Sequence, residues 1–360
     1  MRVGLVIYGD LDYPSGGFLY DRMLVERLRR SGNEVEVISL PWSSYRKCLA
    51  HNFNPRLRAR LRDWTGDLLL QDELCHPSLI SANRVLPPSC RVVSIVHHLR
   101  FSELPAGPRR GLQGLFERSY LRGVKHFVFN SSVTRQTVEK VTGRPCSGII
   151  APPGGDRWGA GISEAEVRER STRRPLSVLF VGNIIPRKGL LVLLRALEMI
   201  PREKWRLTIV GSRSADPAHA ARVDRFISER GLASRVRVTN HVYDSSLARE
   251  LAAHHVLAVP SSYEGFGIVY LEAMGFGVVP IGSRSGGAAE VIQDGQAGFL
   301  LPPGDSNGLA RIIESLADDR ALLSAHAARA LGRFRAFPGW EQRMSEVENY
   351  LRTVAGGGGQ

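Results

Sequence analysis

Residues 256–281, VLAVPSSYEGFGIVYLEAMGFGVVPI, decide the fold. The first run, Val256 to Pro260, is short, apolar and bounded by proline, as a buried parallel strand would be, and the stretch as a whole reads strand, loop, helix, strand. Gly265 and Gly267 flank Phe266 in a turn where backbone can approach a ligand closely. The helix that starts near Gly267 aims free N–H groups and its positive end at that ligand, so an anion belongs there. Glu264 precedes the turn and Glu272 lies eight residues later, two helical turns along. Each carboxylate can accept hydrogen bonds from hydroxyls, and a phosphate beside hydroxyls describes a nucleotide sugar. Glu272 shares its helix with Ile268, Val269, Leu271 and Met274, so it is a buried carboxylate that needs a partner, either a ligand or an arginine.

The run EGFGIVYLE, Glu264 to Glu272, resembles the E-x7-E signature of retaining glycosyltransferases, and with AMGFGVVPI it is similar to glycosyltransferase family 4. The resemblance implies that Glu264 holds donor-sugar hydroxyls, that Glu272 binds the ribose, and that the backbone of Gly265, Phe266 and Gly267 faces sugar and diphosphate. It further implies a GT-B architecture, two Rossmann-like doubly wound α/β domains facing a central cleft, with a C-terminal helix returning to the first domain. The reaction implied is retaining transfer from a UDP- or GDP-sugar to an acceptor hydroxyl in glycan, glycolipid or polysaccharide biosynthesis. The nucleotide sugar is a substrate, and neither cofactor nor metal is expected.

At 360 residues the chain exceeds what one hydrophobic core usually serves, so two domains are expected. No apolar run is long enough to span a bilayer, and MRVGLVIYGD reads as a first buried strand rather than a signal peptide, so a cytoplasmic protein is expected. Cys48, Cys75, Cys90 and Cys146 show neither C-x-x-C nor metal-ligand spacing, which argues against zinc and against a disulfide framework. Of the formal charge of +13, most lies in residues 1–150, which hold 22 Lys and Arg against 13 Asp and Glu. Such a balance suits an anionic or lipid-linked acceptor, an anionic membrane surface, nucleic acid, or only solvent.

Along the chain, Arg2 to Tyr8 reads as a strand, Gly16 and Gly17 sit in a loop before a helix, and Glu34 to Leu40 is a second strand. The glycine pair can let backbone N–H groups reach a phosphate. By resemblance it lies against donor phosphate and acceptor, Gly17 on the donor and Gly16 on the acceptor side. Tyr45 to Arg62 is expected to be one basic helix, with Arg46, Lys47, Arg56, Arg58, Arg60 and Arg62 among Trp42, Tyr45, Phe53 and Trp64. Such interleaving fits a membrane interface or a solvated helix; no nucleic-acid motif accompanies it. A strand at 67–71 leads into a polar loop, DELCHPSL. The strand Arg91 to Val96 ends in His97 and His98, at the end where open α/β sheets put their ligands. The resemblance implies that one imidazole, best His97, contacts the donor sugar, and leaves His98 on the acceptor side. Residues 108–126 form a helix with Leu112, Leu115, Phe116, Tyr120 and Leu121 on one side and Arg109, Arg110, Arg118, Arg122 and Lys125 around them. It either packs on the sheet or lies on anionic headgroups, which would place the protein peripherally on the inner face of the membrane.

Proline and glycine cluster in PPGGDRWGAG, and the first domain, 1–151, is expected to end there, with a linker at 152–161. The second domain, 162–337, restarts the α/β alternation. After its first strand Gly182 turns the chain, and Arg187 and Lys188 stand before an apolar helix, where cations oppose the helix dipole unless an anion binds. The resemblance implies that they neutralise the donor diphosphate. Base and sugar selection is expected from the loops near Gly211 and Val242. Gly286, Gly287, Glu290, Gly295 and Gly298 also match the family's run and read as structural. Residues 338–355 form the returning helix, and 356–360 a tail. Two other readings remain: another GT-B enzyme, such as a nucleotide-sugar epimerase, which needs no acceptor, or a basic nucleic-acid-binding protein with salt-steep affinity.

Overall fold

The computed structural model describes residues 1–103, 108–159, 161–239 and 244–357. The side chains of Arg109 and Arg110, the loop at Val242 and the end of the expected tail lie outside the described residues. The chain divides into two units, Met1–Pro153 with Trp340–Gln360, and Gly154–Gly339.

The first unit is built on strands β1 (Arg2–Tyr8), β2 (Glu34–Leu40), β3 (Leu68–Asp72), β4 (Arg91–Val96), β5 (His126–Phe129) and β6 (Ser147–Ile150), in the order β2-β1-β3-β4-β5-β6. The second is built on β7 (Leu176–Val181), β8 (Trp205–Val210), β9 (Val236–Thr239), β10 (Val256–Ala258), β11 (Val279–Ser283) and β12 (Phe299–Leu301), in the order β12-β11-β10-β7-β8-β9. Every ladder between neighbouring strands is parallel. Parallel strands need long crossovers, which the intervening helices supply, and apolar runs such as VGLVIY and LSVLF are buried almost throughout. Each unit's first strand has later strands on both sides: β1 lies between β2 and β3, and β7 between β8 and β10. The connections diverge there and leave a crevice at the carboxyl ends of the strands.

The last helix, Trp340–Gly356, belongs to the first unit, as expected. Its buried Glu348 accepts hydrogen bonds from Arg27 Nε at 2.9 Å, Ser31 Oγ at 2.9 Å and Asn33 Nδ2 at 3.2 Å, and the Trp340 ring meets Tyr20 edge-on. The helix runs through Gly356, so the expected tail starts later.

Three local expectations are corrected. Gly16 and Gly17 are the first two residues of the Gly16–Arg30 helix, because Ser15 caps it by accepting the Phe18 N–H. The basic segment is two helices, Tyr45–Ala50 and Pro55–Arg62, with a 3-10 turn between; Pro55 ends the first hydrogen-bond ladder and Asn54 caps the second. The polar loop DELCHPSL is instead a 3-10 turn and a short helix, Glu73–Cys75 and His76–Leu79, with Asp72, Glu73, His76 and Ser78 all buried.

Candidate functional site

In the second unit β7 pairs with β10, so the loops that follow them leave the same edge of the sheet. The loop after β7 passes Gly182 and a 3-10 turn, Pro186–Lys188; the loop after β10 carries Ser261 to Gly267 into the helix Ile268–Gly275. This brings together three of the residues singled out in the sequence. Lys188 Nζ lies 2.6 Å from Glu264 Oε1, and Arg187 Nη1 lies 3.5 Å from Oε2 and donates to the Tyr263 carbonyl at 2.9 Å. Ser261 Oγ adds a 2.6 Å hydrogen bond to Oε1. Glu264 is only 6% exposed. Burial alone would raise its pKa, but the charges of Lys188 and Arg187 and the bonds from Lys188 and Ser261 outweigh it and hold the carboxyl down to about 2. Both cations thus face the one Glu264 carboxylate.

The loop is braced from behind. Gly287 N–H donates to the Glu264 carbonyl at 2.8 Å and Glu264 N–H to the Ser285 carbonyl at 3.3 Å. Gly286 adopts φ +94°, and a Cβ there would drive into the Glu264 backbone, so this position admits only glycine. Gly267 caps the following helix from the left-handed region, φ +89°. Phe266, expected among the donor-binding residues, turns its ring into the core against Phe337, at 6.0 Å between centroids, which leaves only its backbone for a ligand.

Glu272 is 3% exposed, and its Oε1 faces Arg157 Nε at 2.7 Å; the Arg157 guanidinium lies 3.9 Å over the Trp158 ring. The arginine alternative for this carboxylate is thus present, supplied by the stretch expected to be a linker.

In the first unit the crevice beside β1 gathers a different set. His97, directly after β4, places Nε2 3.1 Å from Oδ1 of Asp21, a fully buried carboxylate on the Gly16–Arg30 helix. Asn130 Nδ2 bonds the His97 carbonyl at 2.6 Å, and Tyr20 meets the imidazole edge-on at 5.4 Å. Gly17 makes room for the ring, since a Cβ there would approach His97 Cδ2 to 3.0 Å. Burial lowers the His97 pKa, yet the charge and hydrogen bond of Asp21, with the charges of Asp72 and Glu73, raise it above the ordinary value. Burial and the like charge of Asp21 push Asp72 up to about 6. His98 is half-buried and follows in the same loop.

Among the described residues two groups bring histidine and carboxylate atoms within 4.8 Å of one another: Asp21, Asp72 and His97, and Glu73, His76 and Glu117. Internal contacts knit each group, His97 with Asp21 and His76 with Glu73.

Residues 163–332 match the family described as glycosyl transferases group 1. The fold is GT-B. It is 27% identical over 385 residues to the phosphatidyl-myo-inositol mannosyltransferase of Mycolicibacterium smegmatis, covering 99% of this chain and 95% of that one. The GDP-mannose-dependent alpha-(1-6)-phosphatidylinositol monomannoside mannosyltransferase of the same organism is 33% identical over 234 residues, 60% of this chain and 58% of its own length. Among solved structures, sucrose-phosphate synthase from Thermosynechococcus elongatus aligns over 98% of both chains with a TM-score of 0.84 at 21% identity. Arg187, Lys188, Glu264 and Glu272 all lie inside the matched segment.

Sequence reasoning missed Asp21, Asp72 and the buried Glu73–His76–Glu117 group. In the last, His76 bonds the Tyr45 hydroxyl through Nε2 at 3.1 Å and faces Glu73 through Nδ1 at 2.9 Å, while Glu117 accepts the N–H groups of Arg100 and Phe101 at 2.6 and 3.1 Å. Burial pushes Glu73 up to about 8 and Glu117 up to about 9, and holds His76 down to about 4. A carboxyl whose folded pKa exceeds its unfolded value keeps its proton only in the folded state, so its contribution to stability declines as pH rises from about 4.5 towards about 8. The Glu73→Gln variant lacks that decline. In urea unfolding it is expected to gain on the wild type between pH 5 and pH 9, and a constant gap across that range would contradict the protonated assignment.

Proposed function

We propose that this protein is a retaining, metal-independent glycosyltransferase that moves a sugar from a UDP- or GDP-sugar to an acceptor hydroxyl in glycan, glycolipid or polysaccharide biosynthesis. The observation that carries the reading is the grip of Lys188 and Arg187 on Glu264 at the divergence of β7 and β10, inside the segment that matches glycosyl transferases. Glu264 takes the donor-sugar hydroxyls and Glu272 the ribose. Gly182, the backbone of Gly265 to Gly267, and Gly17 of the first unit approach the diphosphate. His97 contacts a sugar hydroxyl, and Gly16 and His98 serve the acceptor side.

In the reaction the bond from the anomeric carbon to the β-phosphate oxygen breaks, and the acceptor oxygen bonds the same carbon on the same face. The acceptor proton passes to the departing phosphate, so no protein base is assigned. Negative charge grows on the diphosphate as it leaves. Lys188 and Arg187 stand beside Glu264, and these cations act where that charge develops. The GDP-mannose-dependent mannosyltransferase supports a GDP-sugar donor. The phosphatidyl-myo-inositol mannosyltransferase supports an anionic, lipid-linked acceptor, which the basic first 150 residues also favour. Contact with an anionic inner-membrane surface follows from such an acceptor; among the described residues no helix is long and apolar enough to cross a membrane.

A thermal-shift screen against UDP, GDP, ADP and their sugars tests the reading. A ligand that binds only the folded state raises the midpoint, by about 2.7 kcal/mol of stability at a hundredfold excess over Kd. One nucleotide is expected to raise it and its sugar form at least as much; no shift with any of them would overturn the reading.

A further inference from the structure

The Asp21–His97 contact is of a different kind from the surface ion pairs around it. Asp21 is fully buried, its Oδ2 has no hydrogen-bond partner, and His97 is the one side chain that reaches its Oδ1 among the described residues. A carboxylate sealed from water needs a donor, preferably a cationic one. His97 is engaged through Nε2 alone. Its Nδ1 has no hydrogen bond to a described residue and is not among the sealed atoms left unpaired, so it opens outward. The ring cannot turn freely: Gly17 and the edge of Tyr20 confine it, and Asn130 fixes its carbonyl.

We propose that Asp21 is a positioning residue that fixes His97 in the tautomer protonated at Nε2, so that Nδ1 is the atom presented to a ligand oxygen. In the neutral ring Nδ1 accepts a hydrogen bond; in the imidazolium it donates one. The groups facing the imidazole are Asp21 and Tyr20 from the first helix and Asp72 and Glu73 from the end of β3, with His98 next in the chain. The charge and hydrogen bond of Asp21 and the charge of Asp72 favour the imidazolium, and the raising effect outweighs burial. Under the proposed function, which this inference deepens, His97 therefore donates to a donor-sugar hydroxyl through Nδ1.

The test is a pH titration of the His97 ring by long-range 1H–15N correlation, on wild type and on Asp21→Asn without ligand. The wild-type ring is expected in the Nε2–H form with its midpoint above that of an ordinary histidine, and in Asp21→Asn the midpoint falls by about one pH unit or more. A folded Asp21→Asn with an unchanged midpoint and tautomer would overturn the proposal. If that variant does not fold, the wild-type spectrum decides: an Nδ1–H tautomer or a midpoint at or below the ordinary value overturns it as well. These readouts need no turnover, so a failed donor screen beside a shifted His97 would sink the function and leave the pair standing. In turnover, the alkaline limb of kcat/KM in Asp21→Asn is expected to move down by the same shift, and Asp21→Asn to add nothing in a His97→Ala background. An unmoved limb beside a shifted titration would overturn the positioning role.

Discussion

Lys188→Ala is expected to lower sugar transfer by about 10²- to 10³-fold, the loss seen when one preorganised donor is removed from developing charge. It is also expected to cost the second unit about 3 kcal/mol, because Glu264 is buried and would keep, among the described side chains, Arg187 at 3.5 Å and Ser261 as partners. A surface lysine would do neither. Glu264→Gln separates the two effects. It keeps an acceptor for Ser261 and removes the buried charge, so transfer falls with a smaller loss of stability, and it also removes the acid-side decline. Glu264, held at about 2, contributes stability above its unfolded pKa near 4.5 that is lost as pH falls towards 2. Urea unfolding and initial rates on both variants check this. Unchanged rates in both would remove the cluster from the site.

Arg157→Ala is expected to destabilise the second unit by about 3–5 kcal/mol, because it takes away the cation facing Oε1 of a carboxylate that is 3% exposed. The guanidinium also covers Trp158, and that packing is lost with it. The same residue pair decides what Glu272 is for. If Glu272 takes the ribose, Glu272→Gln weakens nucleotide binding by about tenfold, or 1.4 kcal/mol, in molecules that remain folded. If the carboxylate serves only to receive Arg157, the unfolding midpoint drops and the nucleotide Kd stays. Calorimetric titration of folded variants, with parallel unfolding curves, distinguishes the two.

How far the sequence could be read depends on what kind of force places each residue. The strands were legible because Val3 to Tyr8, Leu68 to Leu70 and Val178 to Phe180 are unbroken apolar runs whose burial is decided locally. The Glu264 loop was legible because Gly265 and Gly267 mark a turn at a strand end, and Arg187 and Lys188 because they conflict with the helix that follows. Sheet order then joins the two loops, and nothing local gives the β7–β10 pairing. Asp21 and Glu117 were invisible for a related reason: each is one acidic residue in a helix whose apolar pattern reads correctly without it, and its burial is decided by a strand end remote in sequence. Arg157 was lost to composition, since proline and glycine around it spoke for a linker. Gly16 and Gly17 read as loop because glycine has poor helix propensity, and the Ser15 cap overrides that locally.

The most direct measurement is release of nucleoside diphosphate from GDP-mannose, UDP-glucose and related donors, with and without a phosphoinositide acceptor in anionic vesicles, followed by assignment of the product's anomeric configuration. Release from one donor that depends on the acceptor, retention at the anomeric carbon, and its loss in Lys188→Ala are the predicted result. No release with any donor, an inverted product, or equal release by Lys188→Ala would contradict the account.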